Sequence, residues 1–244
     1  MTDILIIPPT ELMEKCAISL GVLAILDFGW AYHTKARYFS LHGLWNIIIT
    51  ILILPDLYKT IIDPLHALAP GSDFNRWPII MVSVLHLWHC VAYSGLTWDD
   101  YFHHFVFAAG LCFVNFVWDW GCSTNFLIFF ICGLPGGLDY LMLAAVKHGY
   151  IHKISEKRIN RLLNVWCRGP GCIASACLVW INWMSGQTDH IPVIIKFLTG
   201  MLAFTNGQYY SRRVVESCTV HEIKLSQSQE NLICSRCNSS NSEN

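Results

Sequence analysis

The feature that most narrows what this chain can fold into is a succession of long apolar blocks separated by short polar or basic stretches. The blocks lie at 16–33, 38–58, 77–95, 101–118, 125–147, 170–185 and 191–210. A helix needs about 20 mainly apolar residues to cross the hydrocarbon core of a bilayer. A soluble helix would instead show one polar face at helical spacing. Runs such as NIIITILIL and FLIFFICGL have no such face. Charged residues make up 14% of the 244, against about a quarter in a soluble domain, so there is too little charge to cover a soluble globule. The expectation is an all-α polytopic transmembrane bundle of about seven spans, with six as the alternative count. The N-terminal segment would occupy 1–15, the membrane domain 16–210 and a flexible polar cytosolic tail 211–244.

Net charge is −1, so no basic field attracts nucleic acid. The N-terminus opens without positive charge and carries two prolines, unlike a cleavable signal peptide. The 11 cysteines are scattered without regular spacing, which does not read as a secreted disulfide framework. Cys234 and Cys237 form one isolated CxxC, and without a second pair or a nearby His no metal site is expected there. With seven spans, twelve basic residues fall on the side of the C-terminus and three on the other. Lys and Arg concentrate on the cytosolic side, so the C-terminus is expected in the cytosol. Residues 153–168 place Lys157, Arg158 and Arg161 opposite Ile159, Leu162 and Trp166. That pattern suits either a basic helix on the membrane surface or a solvated connecting helix.

Ionisable groups inside spans are costly and mark function by default. Here they are Asp27, His42, His86, His89, His103, His104 and Asp139. Counting from the proposed span ends, His89 and His104 lie about 11 Å deep and Asp139 about 12 Å, at 1.5 Å per residue. Asp27 and His42 fall in the same cytosolic layer. His86 and His89 are three apart and share a helix face. His103 and His104 point about 100° apart, so one of them should aim at the bundle centre. Asp99 and Asp100 either fix the imidazole tautomers or simply cap the span. Before Asp139 stands Leu134-Pro135-Gly136-Gly137, which should break the helix and free backbone groups for a polar ligand, or else let helices pack closely.

The stretch DDYFHH (Asp99 to His104), followed by GLDYLMLAAVKHGY with Asp139, Lys147 and Tyr150, resembles the TLC-domain family, which includes the ceramide synthases. Ser40, His42 and Asp63-Pro64 stand where that family carries similar residues, and the likeness covers 38–150. The resemblance implies a lipid enzyme of the endoplasmic reticulum that transfers an acyl group from acyl-CoA to a membrane lipid, with no resident cofactor. His103 or His104 would be the base, Asp139 its orienting partner and His89 a second polar group. Asp27, His42, His86, His89, Gly136 and Gly137 would contact the lipid or fatty acyl substrate. The basic segment 153–168 would receive the anionic part of CoA.

The chain differs from the ceramide-synthase pattern at Phe107, Gly136, His86 and His89. These differences keep a second reading, a non-catalytic lipid-binding or lipid-regulating membrane protein. Two further rivals are a metal-dependent lipid hydrolase or hydroxylase, for which the HxxH of His86 and His89 is not a standard box, and a transporter, for which internal repeats are lacking.

Overall fold

A computed structural model describes residues 7–69, 71–95 and 97–240, with only the backbone of 231–240. Among the described residues the chain is helical and contains no strand. Helix α1 is Pro9–Gly29, α2 is Arg37–Ile62 and α3 is Trp77–Ala92. Helix α4 covers residues 98–117, α5 is Ser123–His148, α6 is Lys153–Met184 and α7 is Val193–Ser240. Each of the seven apolar blocks lies on one of these rods.

Helices α2, α5 and α6 are long and apolar enough to cross a membrane, and α3 is apolar but shorter. The expected count of about seven therefore meets the length and hydropathy requirement in three helices. The others are shorter or more polar: α1 begins with Glu11, Glu14 and Lys15, α4 opens with Asp99 and Asp100, and α7 carries Asn206 and Gln208. The expected N-terminal segment 1–15 is also shortened, because α1 already starts at Pro9. Proline suits a helix's first position, where its missing N–H has no partner to lose.

The central packing is between α2 and α5 and between α6 and α7. Close approach of α2 and α5 requires small residues. A Cβ on Gly137 would stand 2.9 Å from Ile47 Cδ1, and one on Gly43 2.8 Å from Leu141. Small residues let membrane helices approach so closely. Helices α2 and α3 are tied by Trp45, whose buried indole N–H donates to the Met81 carbonyl at 3.0 Å. Helix α1 is pinned by Asp27, which accepts two 2.7 Å hydrogen bonds from Arg37 and one of 2.9 Å from Trp88 Nε1.

Three helices contain a π turn, at His103–Ala108, Phe129–Gly133 and Asn164–Arg168. Two of these end two residues before a proline, Pro135 and Pro170. A proline ring clashes with the carbonyl four residues back and offers it no N–H. Widening the preceding turn by one residue moves that carbonyl aside.

The segment 211–240, expected to be a flexible tail, continues α7 as helix. Its first part docks: Glu222 accepts from Arg158 at 2.9 Å and from Arg161 at 3.4 Å, and Cys218 is buried. Polarity alone suggests disorder here, whereas Ser211 and Glu222 pair with α6 and residues 223–230 stay exposed on the continuing helix. The basic face of 153–168 accordingly meets α7, and the stretch is continuous with α6. The side chains of Cys234 and Cys237 lie outside the described residues.

Candidate functional site

Five histidines from three helices converge. His42 comes from α2, His86 and His89 from α3, and His103 and His104 from the π turn of α4. The ring centroids of His42 and His89 are 3.8 Å apart, those of His86 and His103 5.2 Å, and those of His89 and His104 5.5 Å. Tyr38 stacks on His89 at 4.4 Å, and Tyr140 stacks on His42 at 4.4 Å. These tyrosines sit one helical turn from His42 on α2 and from Gly136 on α5, so the i,i+4 spacing that aligns side chains delivers them. All five imidazoles line one cavity of about 520 Å³.

The cavity is walled by six helices. Asn46 lies deep in it, and Gly136 leaves an opening beside Asn46, where a Cβ would come within 3.2 Å of Asn46 Nδ2. Lys157 and Arg168 of α6 and Tyr210 and Arg213 of α7 close the far side. The imidazoles differ in their engagements. His86 Nδ1 is 2.7 Å from the Val82 carbonyl oxygen, and its Nε2 is 3.1 Å from His103 Nε2. The Tyr210 hydroxyl is 2.9 Å from His103 Nδ1. His42, His89 and His104 are each more than nine-tenths buried, and their Nδ1 atoms have no hydrogen-bond partner. Buried polar atoms are normally satisfied, so these three nitrogens are available to a bound polar group.

A second, narrower space of about 50 Å³ adjoins the first. The two share His86, His103, Ile131 and Cys132. Its walls are mostly apolar, including Ile79, Leu111, Leu127 and Ile128, and it reaches Asn115, Thr124 and Asn206. A polar chamber thus continues into an apolar slot.

The broken region of α5 behaves as its sequence suggests, with a partner from the protein itself. In a regular helix the Ile131 carbonyl would accept from residue 135, and Pro135 has no N–H. The Arg168 guanidinium takes that carbonyl instead, through Nε at 3.0 Å and also through Nη2. It also lies 5.1 Å from the Tyr210 ring centroid. Each of the three π turns supplies cavity residues: His103 and His104, Ile131 and Cys132, and Arg168. π turns recur at functional sites.

Several expected site residues stand elsewhere. Asp139 does not face the imidazoles. It looks toward Glu156, Lys157, Asn160 and Arg168, and its Oδ1 is unpartnered. It therefore cannot orient His103 or His104 in this arrangement. Asp27 is occupied by Arg37 and Trp88 behind the cavity, and Gly137 is a packing surface against Ile47. Neither lines the chamber. Asp100 forms a capping box with Thr97, whose hydroxyl accepts from the Asp100 N–H at 3.3 Å while Thr97 N–H donates to Asp100 Oδ2 at 2.8 Å. Asp99 pairs with Arg213 at 2.8 Å. These aspartates cap and brace α4 and touch no imidazole nitrogen. Tyr38, Tyr140, Tyr210 and Asn46 were absent from the sequence-derived site, although their helical spacing from His42 and Gly136 could have pointed to the first two and to Asn46.

Among the described residues, no group of three or more His, Cys, Asp or Glu is disposed as it stands to hold a metal ion. No family model matches the chain, and neither a curated protein nor a solved structure matches it.

Proposed function

We propose that this chain is a polytopic membrane protein of lipid metabolism that holds a membrane lipid or fatty acyl group in the histidine chamber and transfers an acyl chain there. The observation that carries this reading is the junction of the imidazole-lined chamber with an apolar slot at His86 and His103. An acyl lipid has the same two parts, a polar reacting group and a hydrocarbon chain, and the slot of about 50 Å³ has room for the first carbons of that chain. An apolar lining with a few convergent polar groups is the usual form of a small-molecule site.

In the proposed reaction an acceptor hydroxyl or amine gives up its proton to the imidazole system. Its heteroatom bonds to the carbonyl carbon of an acyl thioester, the class to which acyl-CoA belongs. The carbon–sulfur bond breaks, and the proton ends on the departing thiol. Lys157 and Arg168 stand at the chamber and suit the anionic part of such a donor. The likeness of DDYFHH and GLDYLMLAAVKHGY to the TLC-domain pattern supports the same chemistry.

Further crossings beyond α2, α5 and α6 are supported by outward apolar side chains. Ile18, Val22 and Ile25 on α1, Leu87 and Val91 on α3, Phe105 and Phe113 on α4, and Ile194, Phe197 and Leu198 on α7 are all exposed. Exposed apolar surface on this scale marks contact with lipid or protein. The bias of basic residues supports a cytosolic C-terminus, and the endoplasmic reticulum follows from the family likeness alone.

The test uses purified full-length protein in nanodiscs, incubated with acyl-CoA and a membrane lipid extract and read by mass spectrometry. A new acylated product that disappears when His103 and His104 are both replaced by alanine is the expected result. Lipid bound by the wild-type protein with no product from any acceptor would instead favour the non-catalytic lipid-binding reading.

A further inference from the structure

The hydrogen-bond inventory around His103 fixes which nitrogens carry protons. A backbone carbonyl can only accept. The contact of 2.7 Å between His86 Nδ1 and the Val82 oxygen therefore puts the proton on His86 Nδ1. In a neutral ring, His86 Nε2 then offers a lone pair. The 3.1 Å contact with His103 Nε2 needs one donor, so His103 Nε2 carries a proton and His103 Nδ1 is the acceptor. The Tyr210 hydroxyl, 2.9 Å from that Nδ1, is the donor. One carbonyl sets the direction of the whole chain.

We infer that Tyr210, His103 and His86 form a directional proton relay in which the Tyr210 oxygen meets the substrate's acidic hydrogen and His86 Nε2 is the final acceptor. The inference rests on the acyl-transfer reading for the identity of that substrate. Its geometry stands on the contacts above. The acceptor's proton passes to the Tyr210 oxygen as the phenolic proton moves to His103 Nδ1. The proton on His103 Nε2 then moves to His86 Nε2. Tyr210 ends neutral, His103 ends neutral with its tautomer reversed, and His86 ends as an imidazolium whose Nδ1–H still donates to Val82. The reverse sequence returns the proton to the departing thiol. Arg168, with its guanidinium over the Tyr210 ring, stabilises negative charge building on the phenol oxygen. The division of labour among the histidines follows. Tyr210 is the catalytic residue, His103 and His86 act through it, and His42, His89 and His104 keep an open nitrogen each for the polar part of the lipid.

The experiment labels the histidines of the full-length wild-type protein with ¹⁵N in nanodiscs. His86 should show a protonated Nδ1 and a bare Nε2, and His103 a bare Nδ1 and a protonated Nε2. A through-bond nitrogen–nitrogen coupling should link the two Nε2 atoms. The opposite tautomer in either ring, or no coupling, overturns the relay. Tyr210→Phe keeps the ring and removes the proton donor. It should shift the His103 Nδ1 resonance and lower acyl transfer about 100-fold, the lower end of the range for proton-transfer catalysis. Affinity for the lipid should stay within a factor of two. His86→Asn should lower turnover by a similar factor. Full turnover in Tyr210→Phe removes that residue from catalysis. The coupling with no transfer by wild type to any acceptor would establish the hydrogen-bonded chain and sink the acyl-transfer reading instead.

Discussion

Arg168 and Pro135 should be energetically coupled although they touch only through a carbonyl. Replacing Arg168 with Met removes the donors to Ile131, and nothing on α5 replaces them because Pro135 lacks an N–H. Hydrogen bonds to charged groups contribute about 1.5–3 kcal/mol, and leaving a buried acceptor unpaired costs about 1–3 kcal/mol. The two figures describe the same loss from different reference states, so Arg168→Met should destabilise by about 2 kcal/mol. Pro135→Ala supplies the missing N–H and relieves the ring clash. In that background the Ile131 carbonyl can accept within its own helix, and Arg168→Met should cost about 1 kcal/mol less. The assay is a double-mutant cycle by reversible unfolding in mixed micelles, with helical circular dichroism as the probe. Contacting residues commonly show interaction energies of about 0.5–3 kcal/mol, whereas independent sites add to within about 0.5 kcal/mol. Additivity at that level would show that Arg168 is not serving the carbonyl that Pro135 leaves open.

Asp27→Asn should lower the melting temperature, with a loss of about 2 kcal/mol, because it leaves the Arg37 guanidinium without its charge partner; this is below the range for fully buried pairs because Arg37 is partly exposed. The same variant should leave bound lipid unchanged on mass spectrometry, since Asp27 does not line the chamber. Gly137→Leu should separate α2 from α5 by forcing a side chain against Ile47, read as a loss of folded protein on size-exclusion chromatography. Arg158 beside Glu222 holds that carboxyl below its ordinary value of 4.5. The pairing therefore contributes fully above that pH and is lost as pH falls through the lowered folded value. The protection of 211–230 against hydrogen exchange, expressed relative to the free-chain rate at each pH, should fall across that acidic window, and Glu222→Gln should make it low and nearly pH-independent.

The convergence of the histidines was legible in the sequence, and the directions of the neighbouring side chains were not. Position along a helix is linear in residue number, so a shared layer for His42, at about 6 Å, and for His89 and His104, at about 11 Å, could be counted from the proposed span ends. Direction around the axis accumulates about 100° per residue, and one extra residue in a π turn rotates everything beyond it. The turn at Phe129–Gly133 precedes Asp139 and is invisible in a hydropathy pattern. Gly136 and Tyr140 consequently face the imidazoles while Asp139 faces Asn160. The three-residue spacing of His86 and His89 survived because α3 has no such turn. Asp99 and Asp100 were open to a capping role from the start, and Thr97 decides it by completing the box. The helical continuation of α7 was missed because its partner, the Arg158 and Arg161 face, is remote in sequence.

The rod that carries Tyr210 does not stop at the chamber. Helix α7 runs on to Ser240, about 45 Å past Tyr210 at 1.5 Å per residue. A helix cannot slip internally without breaking its ladder of hydrogen bonds. The pairing of Glu222 with Arg158 and Arg161, twelve residues beyond Tyr210, therefore braces the same rod that presents the Tyr210 hydroxyl to His103.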